Sequence, residues 1–387
     1  MGRHRRRDSL TVEAIIGAMH RSNAPARRLL LASSLALAAC SGKSPLEPAD
    51  AVPTGGTGTA TGGNTGAAGA GVGAAGTTGA AGAAGTTTSG AAGAGGQAGT
   101  SPPAACAASL PAEIRTRVIA FDSDRANFHR QLYRMRADGS EVTPLLSDAF
   151  TDKEPAFSPD GERLAFTSDR AGAPQIFVLE LATSKVTKLT ARSEGANEPS
   201  FSRDGKLVAF HSRASVYVVS ADGGGERLVA TGLDDYNAFW WPQFSADGSE
   251  LVYDRNNEID ATTIGTSQQR MIVQNTATEI KQPAVSPDGT EVAYQARCFF
   301  SGGPVSSIWT TPFSSNTEAC GGRRVTPADE TFMSLRPAWG TKTYLAYERV
   351  DPGTNLGSIA VISREAGSTP CVVAASGADN RNPSWAP

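Results

Sequence analysis

The side chains that most often carry acid–base or metal chemistry are scarce in this chain. Beyond Cys40 there are only two histidines, His129 and His211, and they fall in different parts of the sequence. A Ser-His-Asp site would have to use one of them, and no Gly-x-Ser-x-Gly nucleophile turn is present. Zinc ligation by three nitrogens is out of reach, and the cysteines lack metal-ligand spacing. We therefore expect no catalytic residue, no cofactor and no metal, and predict that the chain is not an enzyme.

A second group of polar and aromatic residues opens the copies of a short repeated motif. The motif runs from such a residue through proline to a turn of the form Ser-x-Asp-Gly in four copies, and two degenerate copies follow. The copies are Glu154–Gly161, Glu198–Gly205, Trp241–Gly248 and Gln282–Gly289, followed by the degenerate Arg336–Gly340 and Asn382–Ala386. They recur at roughly 40–50 residues, which is the period of a propeller blade. The repeat must therefore position whatever site these residues form.

Each repeat is read as four short strands. The Pro-x-Phe-Ser stretch predicts a first strand, and Ser-Pro-Asp-Gly predicts the tight turn after it, because Pro presets φ and Gly accepts a left-handed conformation. A second strand recurs around cores such as Leu164–Phe166, and a fourth around Val186–Thr190. The predicted third strands are Gln131–Met135, Gln175–Leu179, Ser215–Val219, Arg270–Gln274, Ser307–Thr311 and Ser358–Ile362. No helical periodicity of useful length interrupts this pattern, so the fold class is all-β.

The two ends of the repeat region predict how the ring closes. Val118–Phe121 matches a second strand without a first strand before it, whereas Pro383–Trp385 matches a first strand with nothing after it. We expect the C-terminal strand to join the N-terminal blade, which leaves no open sheet edge. The prediction is a six-bladed β-propeller of four-stranded antiparallel blades over residues 106–387.

The N-terminal region is expected to be an address and a tether. Residues 1–39 predict a lipoprotein signal peptide, with Met19 as a more ordinary start, because Arg27 and Arg28 precede a short apolar run. That run is too short to span a membrane. Leu37-Ala-Ala-Cys40 matches the bacterial lipoprotein signal, which makes Cys40 the expected lipidated residue; the alternative is an incidental cysteine near an ordinary cleavage site. Residues 40–105, rich in Gly, Ala and Thr, predict a disordered tether.

Composition narrows the partners. The chain has a formal net charge of −3, and residues 1–39 contain seven of its arginines and two of its acids, so the remainder is more acidic. An acidic protein without a basic stripe is a poor nucleic-acid binder, and we expect none. The four cysteines beyond Cys40 suggest disulfides in an exported protein. The favoured pairs are Cys298–Cys320 and Cys106–Cys371, with free buried thiols as the alternative.

The repeat resembles a known family. Asp160-Gly161 followed by Leu164-Ala-Phe-Thr-Ser-Asp-Arg170 is similar to the WD-like repeat of TolB-type propellers, and the resemblance extends over about 110–387. It implies a six-bladed propeller in the cell envelope that binds something across one face, although no particular binding residue transfers. TolB itself carries a folded α/β domain before its propeller, and here the Gly/Ala/Thr-rich tether is expected in that place. We expect a monomer, anchored by lipid at Cys40 to the outer membrane and facing the periplasm or the cell surface.

The expected binding face is the mouth of the central channel. In a propeller the first strand of each blade is innermost, so the residues that open the motif should rim the channel. The candidates are Glu154, Glu198, Trp240, Trp241, Gln282, Arg336 and Asn382. Two enlarged loops, Asn256–Gln269 and Phe299–Ser306, are expected beside them, since function tends to lie in loops on a rigid scaffold.

Three functions are compatible with this face. The first is docking of an envelope protein, and the second is glycan or small-ligand binding with Trp240 and Trp241 as stacking platforms. A polysaccharide lyase or hydrolase is the third. The tryptophans have a simpler alternative, in which one or both indoles fill the space between blades. A docking face should show a broad apolar patch across several blades, whereas a ligand site should be a deep pocket at the channel mouth with few convergent polar groups.

Overall fold

The computed structural model describes residues 104–126, 129–232, 239–274, 279–298, 306–374 and 377–387. The signal peptide, nearly all of the tether and most of the predicted loop Phe299–Ser306 lie outside the described residues. Within those ranges, no helix has the length and apolar character needed to cross a membrane.

Two short helices precede a series of strands. The helices are α1 (Ala104–Ser109) and α2 (Ala112–Arg115). The strands of the first half are β1 (Val118–Ser123), β2 (Gln131–Arg136), β3 (Thr143–Pro144), β4 (Asp152–Phe157), β5 (Arg163–Ser168), β6 (Gln175–Glu180), β7 (Lys185–Lys188), β8 (Asn197–Phe201), β9 (Leu207–Ser212), β10 (Ser215–Ser220), β11 (Arg227–Thr231), β12 (Trp240–Phe244) and β13 (Glu250–Arg255). Those of the second half are β14 (Glu258–Thr263), β15 (Gln269–Gln274), β16 (Glu279–Val285), β17 (Glu291–Arg297), β18 (Ser307–Pro312), β19 (Thr317–Glu318), β20 (Arg323–Arg324), β21 (Met333–Trp339), β22 (Tyr344–Val350), β23 (Gly357–Ser363), β24 (Cys371–Ala374) and β25 (Asn380–Trp385).

These strands form six blades around a central channel, which confirms the predicted fold. From the inner strand outward, blade 1 is β25-β1-β2-β3, blade 2 is β4-β5-β6-β7, blade 3 is β8-β9-β10-β11, blade 4 is β12-β13-β14-β15, blade 5 is β16-β17-β18-β20 and blade 6 is β21-β22-β23-β24. The innermost strands contact one another in cyclic order. As expected, the C-terminal strand closes the ring, with Ile119 opposite Trp385. The inner edge of β1, which no preceding strand covers, is therefore paired with β25.

Blade 4 differs from the prediction. The stretch Arg270–Gln274, predicted as its third strand, lies in the fourth strand β15, and the third strand is β14. The expected long loop Asn256–Gln269 is therefore wrong. Asn256 and Asn257 form a two-residue turn with φ of 53° and 61°, and Arg255 pairs with Glu258 across it. Asparagine tolerates the left-handed region, and this pair gives the tight hairpin that loop length alone did not suggest. A fifth strand, β19, pairs in parallel with β15.

The core lies between neighbouring blades and is built by the second strand of each. The aromatic residue of that strand is completely buried in all six blades, at Phe121, Phe166, Phe210, Tyr253, Tyr294 and Tyr347. One apolar cluster joins Ala165 and Val178 of blade 2 to Val208 and Phe210 of blade 3. Burying such side chains stabilises the fold by about 1.5–3 kcal/mol each. The blades therefore hold one another in a rigid ring around the channel.

Two disulfides reinforce the ring. Cys106 of α1 is bonded to Cys371 of β24, so the helix before blade 1 is attached to the outer strand of blade 6. Cys298 is bonded to Cys320, across the third strand of blade 5. In the chain-entropy model, a bridge that closes a loop of this second size contributes about 3 kcal/mol.

Candidate functional site

Each inner strand carries a β-bulge at the residue that opens the repeated motif. In blade 2, Lys153 pairs with Thr167 and Ala156 with Ala165, so Glu154 and Pro155 together oppose one residue of β5. The register shifts at the corresponding place in all six blades. The first bulge residue has a positive φ in every case, namely Glu154, Glu198, Trp241, Gln282, Arg336 and Asn382. This conformation costs about 1–2 kcal/mol for a residue other than glycine, so something must offset it six times.

A circle of hydrogen bonds around the channel offsets that cost. The backbone N–H of each first bulge residue donates to a side-chain oxygen of the preceding blade. The bonds are Glu154 N to Asp122 Oδ2 (3.0 Å), Glu198 N to Glu154 Oε2 (2.9 Å), Trp241 N to Glu198 Oε2 (2.7 Å), Gln282 N to Asp254 Oδ1 (3.1 Å), Arg336 N to Gln282 Oε1 (2.9 Å) and Asn382 N to Glu348 Oε1 (2.6 Å). We call these contacts the latch ring. Bonds to a carboxylate are stronger than neutral ones, so five of the six are of the stronger kind.

The acceptors of the latch ring come from two positions. Where the bulge residue is Glu or Gln, its own side chain serves the next blade. Where it is Trp241, Arg336 or Asn382, the acceptor is an acid of the second strand of the same blade, and these acids are Asp254, Glu348 and Asp122. The sequence analysis did not identify the three acids as channel residues. Each directly follows the buried aromatic residue of its second strand, and that position was the available signal.

Arg336 and Trp241 meet across the channel. The guanidinium of Arg336 lies 4.9 Å from the centroid of the Trp241 ring. Arg336 belongs to blade 6 and Trp241 to blade 4, and blade 5 separates the two in the ring. Their contact therefore spans the lumen. Glu348 holds the guanidinium in place, because Nη1 donates to both carboxylate oxygens at 2.7 and 2.9 Å.

On one side of this contact, the channel forms a cavity of about 660 Å³. It extends from the first bulge residues to the turns between first and second strands, where Pro159, Arg203, Ala246 and Pro287 lie. Its wall combines small side chains, such as Ala156, Ser200, Ala284, Ala338 and Ser384, with prolines and aromatic residues. Every blade contributes to the lining. The cavity thus extends from the turns between first and second strands to the Arg336–Trp241 contact.

Six of the seven predicted binding residues line this cavity: Glu154, Glu198, Trp241, Gln282, Arg336 and Asn382. Trp240 is not among its lining residues. Its side chain is 40% exposed, and its ring lies against that of His211, with centroids 4.1 Å apart. The two neighbouring tryptophans therefore occupy different environments, because the bulge turns Trp241 toward the lumen.

Three of the carboxyl groups in the latch ring are held in surroundings that disfavour their charge. Complete burial raises the pKa of Asp254 to about 7. Burial also raises the pKa of Glu198 well above its usual value, and repulsion by the Glu154 carboxylate adds to the effect. Burial likewise raises the pKa of Asp122, against the opposing attraction of Arg130. The pKa of His211 is lowered, again mainly by burial. The ionised form of each acid is therefore costly in this setting.

The two histidines lie apart from each other, and Arg170 pairs with an acid of its own blade. His129 and His211 lie in different blades, and the Nε2 of His211 is hydrogen-bonded to the carbonyl of Arg213. Arg170 binds Asp152 at 2.8 Å, which joins two strands of blade 2. In the ranges that the structure describes, no group of three or more His, Cys, Asp and Glu side chains could hold a metal ion.

Comparisons with known proteins agree with this architecture. Residues 115–235 and 149–342 match the family model of the TolB beta propeller domain. The Tol-Pal system protein TolB of Bordetella parapertussis is 41% identical over 165 residues, which cover 41% of this chain and 36% of that protein. A TolB homolog of Chlorobium luteolum is 38% identical over 65 residues, or 17% of this chain and 14% of that protein. The chain thus spans about a third or less of the length of these curated relatives.

One solved structure shows the likeness at the level of the fold. The crystal structure of TolB from Acinetobacter baumannii superimposes with a TM-score of 0.59 at 19% identity, and covers 71% of this chain and 67% of that one. The shared architecture is the propeller with its central channel.

Proposed function

The chain belongs to the TolB β-propeller domain family, and from that premise we propose that it is a non-catalytic envelope protein whose propeller docks a protein partner at the channel cavity. The observation that carries the proposal is the cavity itself. It measures about 660 Å³, all six blades contribute to it, and its lining combines small side chains and prolines with aromatic rings. A protruding segment of a partner can enter such a space without displacing the wall, because the latch ring keeps the blades fixed.

The spread of the lining over all six blades favours a protein over a small ligand. A small-molecule pocket is usually apolar and encloses its ligand, with a few polar groups that fix the orientation. Here the lining contains prolines, small residues, aromatic rings and charged groups, and Arg117 and Arg203 are two of the charged residues. A partner segment can use many weak contacts distributed around a ring, with one central anchor.

Glycan binding is less well supported by the tryptophans. The ring of Trp241 already contacts the Arg336 guanidinium, and the ring of Trp240 contacts His211. A sugar that stacked on either of these ring faces would have to displace the Arg336 guanidinium or the His211 ring. Both groups are held in place by hydrogen bonds of their own. Protein docking requires no such displacement, since the space in front of Trp241 is open to the cavity.

The two tryptophans provide a matched test of this docking. We expect Trp241→Ala to weaken binding of an envelope partner at least roughly tenfold, because it removes a central aromatic anchor. Trp240→Ala should leave the affinity unchanged, since Trp240 does not line the cavity. The partner would be captured from native envelope extracts with the full chain, purified, and titrated against the parent and both variants by calorimetry.

The outcomes of this titration separate the candidate functions. Loss of affinity with Trp240→Ala and not with Trp241→Ala would place docking outside the cavity, around Trp240, and would contradict the proposal. If the parent captures no protein, the docking function is rejected, and glycan arrays probed with the same three proteins test the second candidate. Melting temperatures of the three proteins serve as the control for folding.

The proposal includes a lipid anchor at Cys40. The support is the motif Leu37-Ala-Ala-Cys40 directly after an apolar run, and the Gly/Ala/Thr-rich segment 40–105 would then connect the lipid to the propeller. This arrangement attaches the propeller to the envelope membrane, with the outer membrane as the proposed site, and leaves its channel free. Relatives named as Tol-Pal system proteins support an envelope location.

Substitution of Cys40 tests this anchor. In cells that process lipoproteins, we expect Cys40→Ser to move the protein from the membrane fraction to the soluble fraction and to abolish incorporation of labelled palmitate. Cys106→Ser is the matched control, because it removes a cysteine of the propeller and should leave labelling intact. Equal palmitate labelling of the parent and Cys40→Ser would show that Cys40 is not the lipidated residue.

A further inference from the structure

The acids of the channel are not equally neutralised. Five carboxylates take part in the latch ring, at positions 122, 154, 198, 254 and 348. Three of them form ion pairs with Lys or Arg: Asp122 with Arg130 (2.6 Å), Glu154 with Lys153 (2.9 Å) and Glu348 with Arg336 (2.7 Å). Among the described residues, Glu198 and Asp254 have no Lys or Arg within ion-pair distance. The uncompensated negative charge therefore lies in neighbouring blades 3 and 4.

Glu198 is the member of this pair that the cavity reaches. It is one of the lining residues, whereas Asp254 is not. Its side chain is 7% exposed, and the carboxylates of Glu154 and Asp254 both repel its charge. The Trp241 N–H and the Arg336 guanidinium favour its charge, and that guanidinium is already bound by Glu348. A buried carboxylate with two like neighbours gains more than most from an added cation.

His211 supplies an independent sign that a donor is missing here. Its side chain is only 4% exposed, and its Nε2 is hydrogen-bonded to a carbonyl, which assigns the proton to Nε2 and leaves a lone pair on Nδ1. That Nδ1 has no hydrogen-bond partner, although it is buried. It lies 3.8 Å from Glu198 Oε2. When Glu198 is ionised, two acceptors lie close together without a hydrogen-bond donor between them.

We propose that Glu198, in the lining of the channel cavity and with the buried His211 behind it, binds a cationic side chain supplied by the docked protein. The site rests on the proposed docking function and specifies its chemistry: the inserted segment carries a lysine or arginine. An ammonium group has three donors and can bond to the Glu198 carboxylate, which the cavity reaches. The Trp241 ring beside it already accepts the guanidinium of Arg336, so a cation is compatible with these surroundings.

The test compares two probes that differ by one ammonium group. N-acetyl-lysine methylamide and N-acetyl-norleucine methylamide have similar length, but only the first carries an ammonium group. Each would be titrated into the full chain at pH 8 and low salt, with binding followed by calorimetry. We expect the lysine probe to bind at least roughly tenfold more tightly than the norleucine probe. Glu198→Gln, which keeps an oxygen for the Trp241 N–H, should abolish this preference.

The matched control is Glu141→Gln. It removes an acid that lies between the two outer strands of blade 1 and whose side chain is 64% exposed. It should bind both probes as the parent does. Equal affinity of the two probes, no saturation by the lysine probe in the millimolar range, or an unchanged preference in Glu198→Gln would each overturn the proposal. These titrations require no partner, so they can fail while docking stands. Loss of docking in Trp241→Ala can in turn be observed whatever the probes show.

Discussion

Replacement of Glu348 by Ala is expected to lower the free energy of unfolding by about 3–5 kcal/mol. The carboxylate is completely buried, binds Arg336 with both oxygens, and accepts the N–H of Asn382 at 2.6 Å. The substitution leaves the Arg336 guanidinium without its ion pair and removes the latch between blades 6 and 1, where the ring closes. Urea unfolding of the parent and the variant at pH 7 measures the change.

Gln295→Ala is the matched control for this substitution. Gln295 occupies the same position of the second strand in blade 5, directly after a buried tyrosine, and is 3% exposed. It supplies no latch, because Gln282 serves that blade. We expect a smaller loss of about 1–3 kcal/mol, as for a buried polar side chain outside an ion pair. Equal losses in the two variants would show that the latch contributes little beyond burial.

Replacement of Asp254 by Asn is expected to have the opposite sign and to stabilise the protein at pH 8. Burial raises the pKa of Asp254 from 3.8 to about 7 in the folded protein. The unfolded state ionises this group first as the pH rises, so the stability present at low pH is lost between about pH 4 and pH 7. The amide removes this loss and still offers an oxygen to the Gln282 N–H. The gain reaches at most about 4 kcal/mol above pH 7 and vanishes near pH 4.

The measurement is the free energy of unfolding of parent and variant from pH 4 to pH 8. Asp247→Asn is a control of opposite sign, because hydrogen bonds from Ser245 and Ser249 lower the pKa of that turn carboxyl. Its stabilising effect is present above the unfolded pKa and is lost on acidification, so its replacement should destabilise the protein at pH 8. A pH-independent difference between the parent and Asp254→Asn would show that Asp254 titrates normally in the folded protein.

The sequence by itself determined the propeller. Periodicity, alternation and turn chemistry are local properties of the sequence. Variants of the Pro-x-Phe-Ser-Pro-Asp-Gly motif carry these properties in most blades. The count of blades and the closure by β25 followed from the same repeat, because a first strand without successors and a second strand without a predecessor have one economical pairing. Blade 4 was misread because Asn256-Asn257 is a turn that hydrophobic periodicity does not detect.

The tertiary structure alone decided what the channel residues do. The motif predicted that six side chains would share the lumen, but each is turned inward by a bulge, and a bulge depends on which residue faces it across the sheet. The roles of Asp122, Asp254 and Glu348 depend further on the neighbouring blade, which is roughly one repeat away in sequence and donates the N–H to each of them. Burial, charge balance and the Arg336–Trp241 contact across the lumen are sums over all six blades. A repeat read one copy at a time carries no information about such sums, because they exist only when the ring is closed.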